Sequence, residues 1–208
     1  MFSAMKTHTS HILAVAIALT AFAGSAFAAV SDQTIKNLNT AFQGESNAAN
    51  RYAIFAKKAD QEGYAQVANL FRAASAAEAI HRKTHEQAIQ KLGGKVATFQ
   101  LENVTPGTTE ENLRAAIKGE TYERDTMYPE FLANAKKDDA RPAIRSIQFA
   151  NAAEKEHAQL FQDALDNLGN NASADYYVCQ VCGMTLTQLP PDKCPSCRNS
   201  RDEYKKIS

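Results

Sequence analysis

The sequence predicts an all-α four-helix bundle followed by a small β/loop module organised by a metal. Three observations carry that expectation. Apolar residues recur at helical spacing from Ser31 to Leu168, acidic and imidazole side chains interrupt those stripes at matching places, and four cysteines in two C-x-x-C pairs close the chain.

The first helix is read from Ile35, Leu38, Phe42, Ala49, Tyr52, Ala56 and Ala59, with Asp32 as its N-cap and Gly63 as its stop. The second runs from about Tyr64 to Leu92 and ends at Gly93-Gly94. The third begins near Thr108 or Thr109, where Thr-Thr-Glu-Glu supplies a cap and an acidic first turn, and Pro129 is expected to kink it. The fourth begins near Arg141-Pro142 and ends near Gly169. Joins within the first and last pairs are short, whereas Lys95 to Gly107 is long and contains Pro and Gly. Two helical hairpins joined by one long crossover describe a ferritin-like bundle rather than a simple up-down one.

Residues 1–28 have another composition. Lys6 is their only Lys or Arg, there is no acid, and an apolar run from Ile12 to Ala23 is broken only by Thr20. Ala26 and Ala28 give the small residues of an A-x-A cleavage site. The run falls short of the roughly 20 residues a membrane span needs. We expect a secretory signal peptide cleaved after Ala28, against the alternative of an uncleaved anchor. No twin arginine is present, so general secretion across the inner membrane to the periplasm is expected. The expected domains are then 1–28, a bundle over 29–172 and a cysteine module over 173–208. Lys plus Arg and Asp plus Glu both total 23, with no basic cluster, so neither nucleic acid nor stable membrane insertion after cleavage is expected.

Function is read from the interruptions. Glu45 sits between Phe42 and Ala49. Glu78, His81 and His85 share the second stripe, Glu120 and Glu123 the third, and Glu154 and His157 the fourth. A lone buried carboxylate costs several kcal/mol or more, and five converging glutamates need cations. Glu78-x-x-His81 and Glu154-x-x-His157 each place both ligands on one helical face. One Glu from each of two helices plus E-x-x-H from each of the other two is a di-iron carboxylate pattern, and this donor chemistry suits iron or manganese. Glu45 to Glu78 spans 33 positions and Glu120 to Glu154 spans 34, so the halves repeat. They differ at Glu123, whose counterpart is Ala48. A redox-linked exchange of His81 for Glu123 is one use of that asymmetry. Tyr52 and Tyr128 are expected in the core with hydroxyls toward the site, and His85 as a satisfied core or supporting histidine.

Cys179-x-x-Cys182 and Cys194-x-x-Cys197, 11 residues apart, form a tetrahedral metal signature in a module too small to fold on apolar mass alone. Four thiolates suit iron or zinc, and two disulfides are a third option that would leave the knuckles unlinked. Iron is expected, because a one-electron site beside a di-iron site makes a working pair.

The chain resembles rubrerythrin over nearly all its mature length, and its tail resembles rubredoxin. The matching stretches are Gly44-Glu45-Ser46 with Asn50-Arg51-Tyr52, Glu78-Ala79-Ile80-His81, Gly119-Glu120-Thr121-Tyr122-Glu123 with Met127-Tyr128-Pro129-Glu130-Phe131, and Glu154-Lys155-Glu156-His157. The resemblance implies reduction of hydrogen peroxide to water, with electrons from a donor protein entering at the four-cysteine iron. It also implies the di-iron ligands Glu45, Glu78, His81, Glu120, Glu123, Glu154 and His157. A homodimer is implied too, head to tail, in which one subunit's cysteine module lies near the other's di-iron site. The alternative from the residues is an iron-binding, ferroxidase or storage protein with a structural zinc ribbon as its tail.

Overall fold

The structure, a computed structural model, describes residues 1, 2 and 30–207. The signal peptide expected over residues 1–28 lies outside the described residues apart from its first two. No helix among the described residues is long and apolar enough to cross a membrane.

Four long rods form the bundle. They are α1 (Asp32–Gln61), α2 (Ala65–Lys91), a composite third rod and α5 (Arg141–Asp166). The third rod is α3 (Thr109–Tyr122), a π-helical turn (Glu123–Met127) and α4 (Tyr128–Lys137). The cap of α1 is Ser31, one residue before the expected Asp32. The Ser31 hydroxyl accepts from the Thr34 amide, while Asp32 joins the first turn, where an acid favours the helix dipole. Thr108 caps α3 in a reciprocal capping box with Glu111. Gly63 and Gly93 end α1 and α2 in left-handed backbone, at φ 84° and 75°. Pro129 acts differently from the expected kink. It falls in the first turn of α4, directly after the π turn, where a missing amide hydrogen is tolerated.

α1 packs along α2 and α3 along α5, with residues 92–108 crossing between the hairpins. Two apolar clusters fill the interior. One gathers Tyr52, Phe55, Phe71, Leu113 and Phe161; the other gathers Leu38, Ile89, Tyr128, Phe131 and Ile147. On every rod the acidic residues fall between the stretches that feed the two clusters. The bundle therefore has two greasy ends and a charged waist.

The tail forms an antiparallel sheet in the order β2-β1-β3, from β1 (Tyr176–Cys179), β2 (Thr185–Leu186) and β3 (Tyr204–Ile207). Tyr176 and Val178 alternate with Tyr177 and bury into the first bundle cluster. Phe149 and Ala152 of α5 pack against the cysteines. The cysteine module is thus seated on its own bundle, across α2 and α5. That contact is made within one chain.

Candidate metal centres in the bundle and the tail

The waist is built from side chains that helical spacing aims inward. Glu45, Glu78, Glu120 and Glu154 are at most 2% exposed, and His81 and His157 are fully buried. His81 Nδ1 lies 2.7 Å from Glu78 Oε2, 3.1 Å from Glu154 Oε1 and 3.8 Å from Glu45 Oε1. His157 Nδ1 lies 2.8 Å from Glu154 Oε2, 3.1 Å from Glu78 Oε1 and 3.9 Å from Glu120 Oε2. The two lists exchange under a pseudo-twofold axis. Each set of four donors lies within 4.8 Å of one another, and Glu78 and Glu154 belong to both. Two cations could therefore sit side by side, bridged by those two carboxylates and each completed by one terminal Glu and one His.

The test of fit is what remains unpaired. Glu45 Oε2, Glu78 Oε1, Glu120 Oε2 and Glu154 Oε1 are buried without a hydrogen-bond donor. Native proteins rarely leave such groups unmatched. One orphaned oxygen on each of four converging carboxylates fits a divalent pair.

The buried carboxylates and imidazoles also set one another's affinity for protons. Burial alone would lower the His81 pKa, but Glu154 and Glu78 overcome it and raise it to about 10; burial, Glu78 and Glu154 do the same for His157. Burial raises Glu45 and Glu120 far above the carboxylate range, and the neighbouring carboxylates add to it. Glu78 and Glu154 go the other way: burial would raise them, and the facing histidines win and lower them.

The outer histidine nitrogens show which nitrogen is free to ligate. His81 Nε2 is 3.1 Å from the Cys182 carbonyl, a pure acceptor. His157 Nε2 is 3.0 Å from Thr185 Oγ1, whose own hydrogen goes to the Gly183 carbonyl. Both Nε2 atoms must therefore carry hydrogen and donate, leaving both Nδ1 atoms toward the carboxylates. The cysteine module supplies both acceptors.

Tyr52 donates to Glu120 Oε1 and Tyr128 to Glu45 Oε1, each reaching across to the other hairpin. His85 lies beside Tyr128 and outside both donor sets. Glu123 is also outside them, half-buried at the first position of the π turn. Burial, then Glu154 and Glu78, raise its pKa, while Arg51 and His81 pull it down. Gly44 lies opposite: a Cβ there would sit 3.9 Å from Glu123 Oε1. The π turn also accounts for the unequal spacing of the halves. Glu45 and Tyr52 are seven positions apart, Glu120 and Tyr128 eight, and a π turn holds one residue more than an α turn.

In the tail, Cys179 and Cys197 have sulfurs 3.7 Å apart, and Cys182 and Cys194 3.6 Å. A disulfide needs about 2.0 Å. A tetrahedron with metal–sulfur bonds of about 2.3 Å has edges of about 3.8 Å, which the pairs approach. Asn199 Nδ2 and the Tyr204 hydroxyl donate to Cys197 and Cys194 sulfurs, as thiolates require. All four thiols are free, so the disulfide option falls, and together they fit one metal ion.

Comparison with known proteins agrees with this geometry. The family model described as rubrerythrin matches residues 36–165, and that described as the rubrerythrin rubredoxin-like domain matches residues 177–205. Rubrerythrin-2 of Clostridium acetobutylicum is 34% identical over 80% of this chain and 92% of its own. A putative rubrerythrin of Methanocaldococcus jannaschii is 36% identical over 83% and 91%. The fully reduced, all-ferrous structure of nigerythrin superposes with TM-score 0.75 at 30% identity, covering 83% of this chain and 86% of that one. A bacterioferritin of Mycobacterium tuberculosis, 21% identical over 67% and 87% with TM-score 0.61, shares the bundle fold alone.

Proposed function

This chain belongs to the rubrerythrin family, with its di-iron site and rubredoxin-like four-cysteine site, and we propose that it is a peroxidase that reduces hydrogen peroxide to water. One observation carries the reading: the cysteine knuckle is one hydrogen bond from a di-iron ligand, through Cys182 O and His81 Nε2. A storage protein has no need of a one-electron thiolate site in that place.

In this reading Glu45, Glu78, His81, Glu120, Glu154 and His157 would hold the iron pair, and Cys179, Cys182, Cys194 and Cys197 would hold the tail iron. When bound, the iron pair supplies two electrons and open coordination for peroxide, and two protons complete the two waters. The residues do the rest. Tyr52 and Tyr128 hold the terminal carboxylates by their Oε1 atoms, leaving Oε2 free. The two apolar ends keep bulk water from the waist. The Cys182 carbonyl and the His81 imidazole form the covalent and hydrogen-bonded path for electrons arriving from a donor protein. Glu123 is the reserve carboxylate, an alternative to His81.

The test is metal analysis and stopped-flow oxidation of the reduced full-length protein. Peroxide oxidising it faster than oxygen supports the peroxidase. A colourless zinc tail, with iron accumulating beyond two per bundle, would replace this reading with storage. Glu123→Ala should lower peroxide turnover roughly a hundredfold, the scale of a misplaced reacting group, while iron content stays near wild type. Unchanged turnover refutes the reserve role. Cys194→Ser should leave peroxide oxidation of the chemically reduced bundle intact but abolish turnover driven by a protein donor. Full donor-driven turnover in that variant means electrons enter elsewhere.

Residues 1–28 support a further part of the proposal, export to the periplasm with cleavage after Ala28. N-terminal sequencing of the protein from a periplasmic extract tests it: Ala29 as first residue is expected, and an intact Met1 overturns it.

A further inference from the structure

The pseudo-twofold is broken a second time, four residues beyond each histidine ligand. Position 161 after His157 is Phe, and position 85 after His81 is His. The consequence differs sharply between the halves. Tyr52 is ringed by Phe55, Phe71 and Phe161, with ring centroids 6.3, 5.9 and 5.3 Å away, and its hydroxyl has Glu120 as its hydrogen-bond partner. Among the described residues no other side chain hydrogen-bonds to the Tyr52 hydroxyl in that half of the waist.

The other half contains an unbroken line of polar groups. Tyr128 donates to Glu45 Oε1. The Tyr128 hydroxyl is 3.2 Å from His85 Nε2, His85 Nδ1 is 2.8 Å from Ser146 Oγ, and Ser146 Oγ is 3.1 Å from Thr84 Oγ1. Tyr128 and His85 are fully buried and Ser146 is 3% exposed, whereas Thr84 is half-buried. Thr84 and Ser146 line a surface cleft of about 180 Å³, together with Lys91, Arg145, Phe149 and Val181. The line thus starts at water and ends on a carboxylate of the metal waist.

We propose that Thr84, Ser146, His85 and Tyr128 form a proton relay from this cleft to Glu45. In one step, Tyr128 passes its hydroxyl proton to Glu45 Oε1. His85 passes its Nε2 proton to Tyr128, and Ser146 passes its hydroxyl proton to His85 Nδ1. At rest Ser146 donates to Thr84 and the Thr84 hydroxyl donates to the His81 carbonyl, 2.9 Å away, so both hydroxyls rotate in the step: Ser146 toward His85, and Thr84 toward Ser146, which it refills as cleft water refills Thr84. One proton enters, one arrives, and every intermediate group keeps its own hydrogen count. His85 suits the middle place by its geometry, with Nε2 facing the Tyr128 hydroxyl and Nδ1 facing Ser146 Oγ. A neutral imidazole offers one N–H and one lone pair on opposite sides, so it can accept at one nitrogen as it gives from the other. Two protons are needed for each peroxide reduced, so this deepens the peroxidase reading. The relay itself rests only on the geometry. His85 acts through Tyr128 and Glu45 and is a positioning residue.

The test uses full-length protein loaded with diamagnetic Zn(II) and carrying ¹³Cζ-labelled tyrosine. Exchange of each buried hydroxyl proton with solvent deuterium is read from the isotope shift of its ring carbon. Tyr52 is the internal control, equally buried but without the polar line. Tyr128 should exchange quickly and Tyr52 slowly. Ser146→Ala, which touches no metal ligand, should slow Tyr128 to the Tyr52 level. His85→Phe, copying position 161 of the other half, should do the same. In the iron-loaded protein Ser146→Ala should lower peroxide turnover roughly a hundredfold and introduce a solvent isotope effect. Tyr128 exchanging as slowly as Tyr52 in the wild type overturns the relay, and so does fast exchange that survives Ser146→Ala. If exchange follows the expected pattern while wild-type protein fails to reduce peroxide, the relay stands and the peroxidase reading falls.

Discussion

Gly183→Ala is expected to slow electron transfer from the cysteine module to the bundle on the order of a hundredfold, while both metal sites stay loaded. Gly183 follows the first knuckle with φ 79°. A Cβ there would sit 2.2 Å from His81 Nε2 and 2.6 Å from His81 Cδ2. His81 is held by Glu78 and Glu154 on its other side and cannot retreat, so the loop must lift. Lifting breaks the bond from His81 Nε2 to the Cys182 carbonyl, and with it the proposed route for electrons. The left-handed backbone adds about 1–2 kcal/mol of strain for a residue with a Cβ. Gly63→Ala separates these causes, because Gly63 has φ 84° and nothing within 4 Å of the added carbon. It should reproduce the strain and leave the transfer rate unchanged. The measurement is single-turnover reoxidation of the four-cysteine iron, followed by its visible absorption, after peroxide is mixed with reduced protein. An unchanged rate in Gly183→Ala, with the absorption spectrum intact, refutes the route through His81.

The fold and most of the waist were legible in the sequence because both follow from period. Helical spacing aimed Glu45, Glu78, Glu120 and Glu154 inward on stripes that otherwise hold Leu, Phe and Ala, and the E-x-x-H pairs put each histidine beside its bridging carboxylate. Cap positions were legible to within a residue. Ser31 and Asp32 are both good caps, and the tertiary hydrogen bonds of Ser31 to Asp138 decide between them. What period cannot show is a change of period. The 33 and 34 spacings, the position of Glu123 and the presence of Pro129 looked like three separate features. The π turn makes them one, since a single extra residue widens the helix at Glu123. Contacts between modules were also invisible, because nothing in a local pattern links Gly183 or Thr185 to histidines about 100 and 28 positions away. His85 was legible as a buried histidine, but its use depends on Ser146 from the fourth rod and Tyr128 from the third.

Removing metal from the bundle should make the protein's stability fall as pH rises. In the bare waist Glu45, Glu120 and Glu123 have pKa values raised above 4.5, so the folded state binds more protons than the unfolded one. Their effect is to make folding less favourable as pH climbs past about 4.5. His81 and His157, raised from 6.5 to about 10, contribute stability that is complete below pH 6.5 and is lost as pH rises through 10. Both groups act in the same direction, so metal-free protein should lose stability steadily from pH 5 to 10. Glu78 and Glu154, lowered by the facing histidines, act oppositely, and their contribution is lost only as pH falls below about 4.5. Bound cations replace the protons, so the loaded protein should hold its stability across neutral pH and binding should release protons. The difference in Tm between loaded and metal-free full-length protein should therefore widen from pH 5 to pH 8. Calorimetric titration in buffers of different ionisation enthalpy should count the protons released. Parallel Tm curves, or binding without proton release, would mean that the buried carboxylates are neutralised by something other than the two histidines and the protons assigned here.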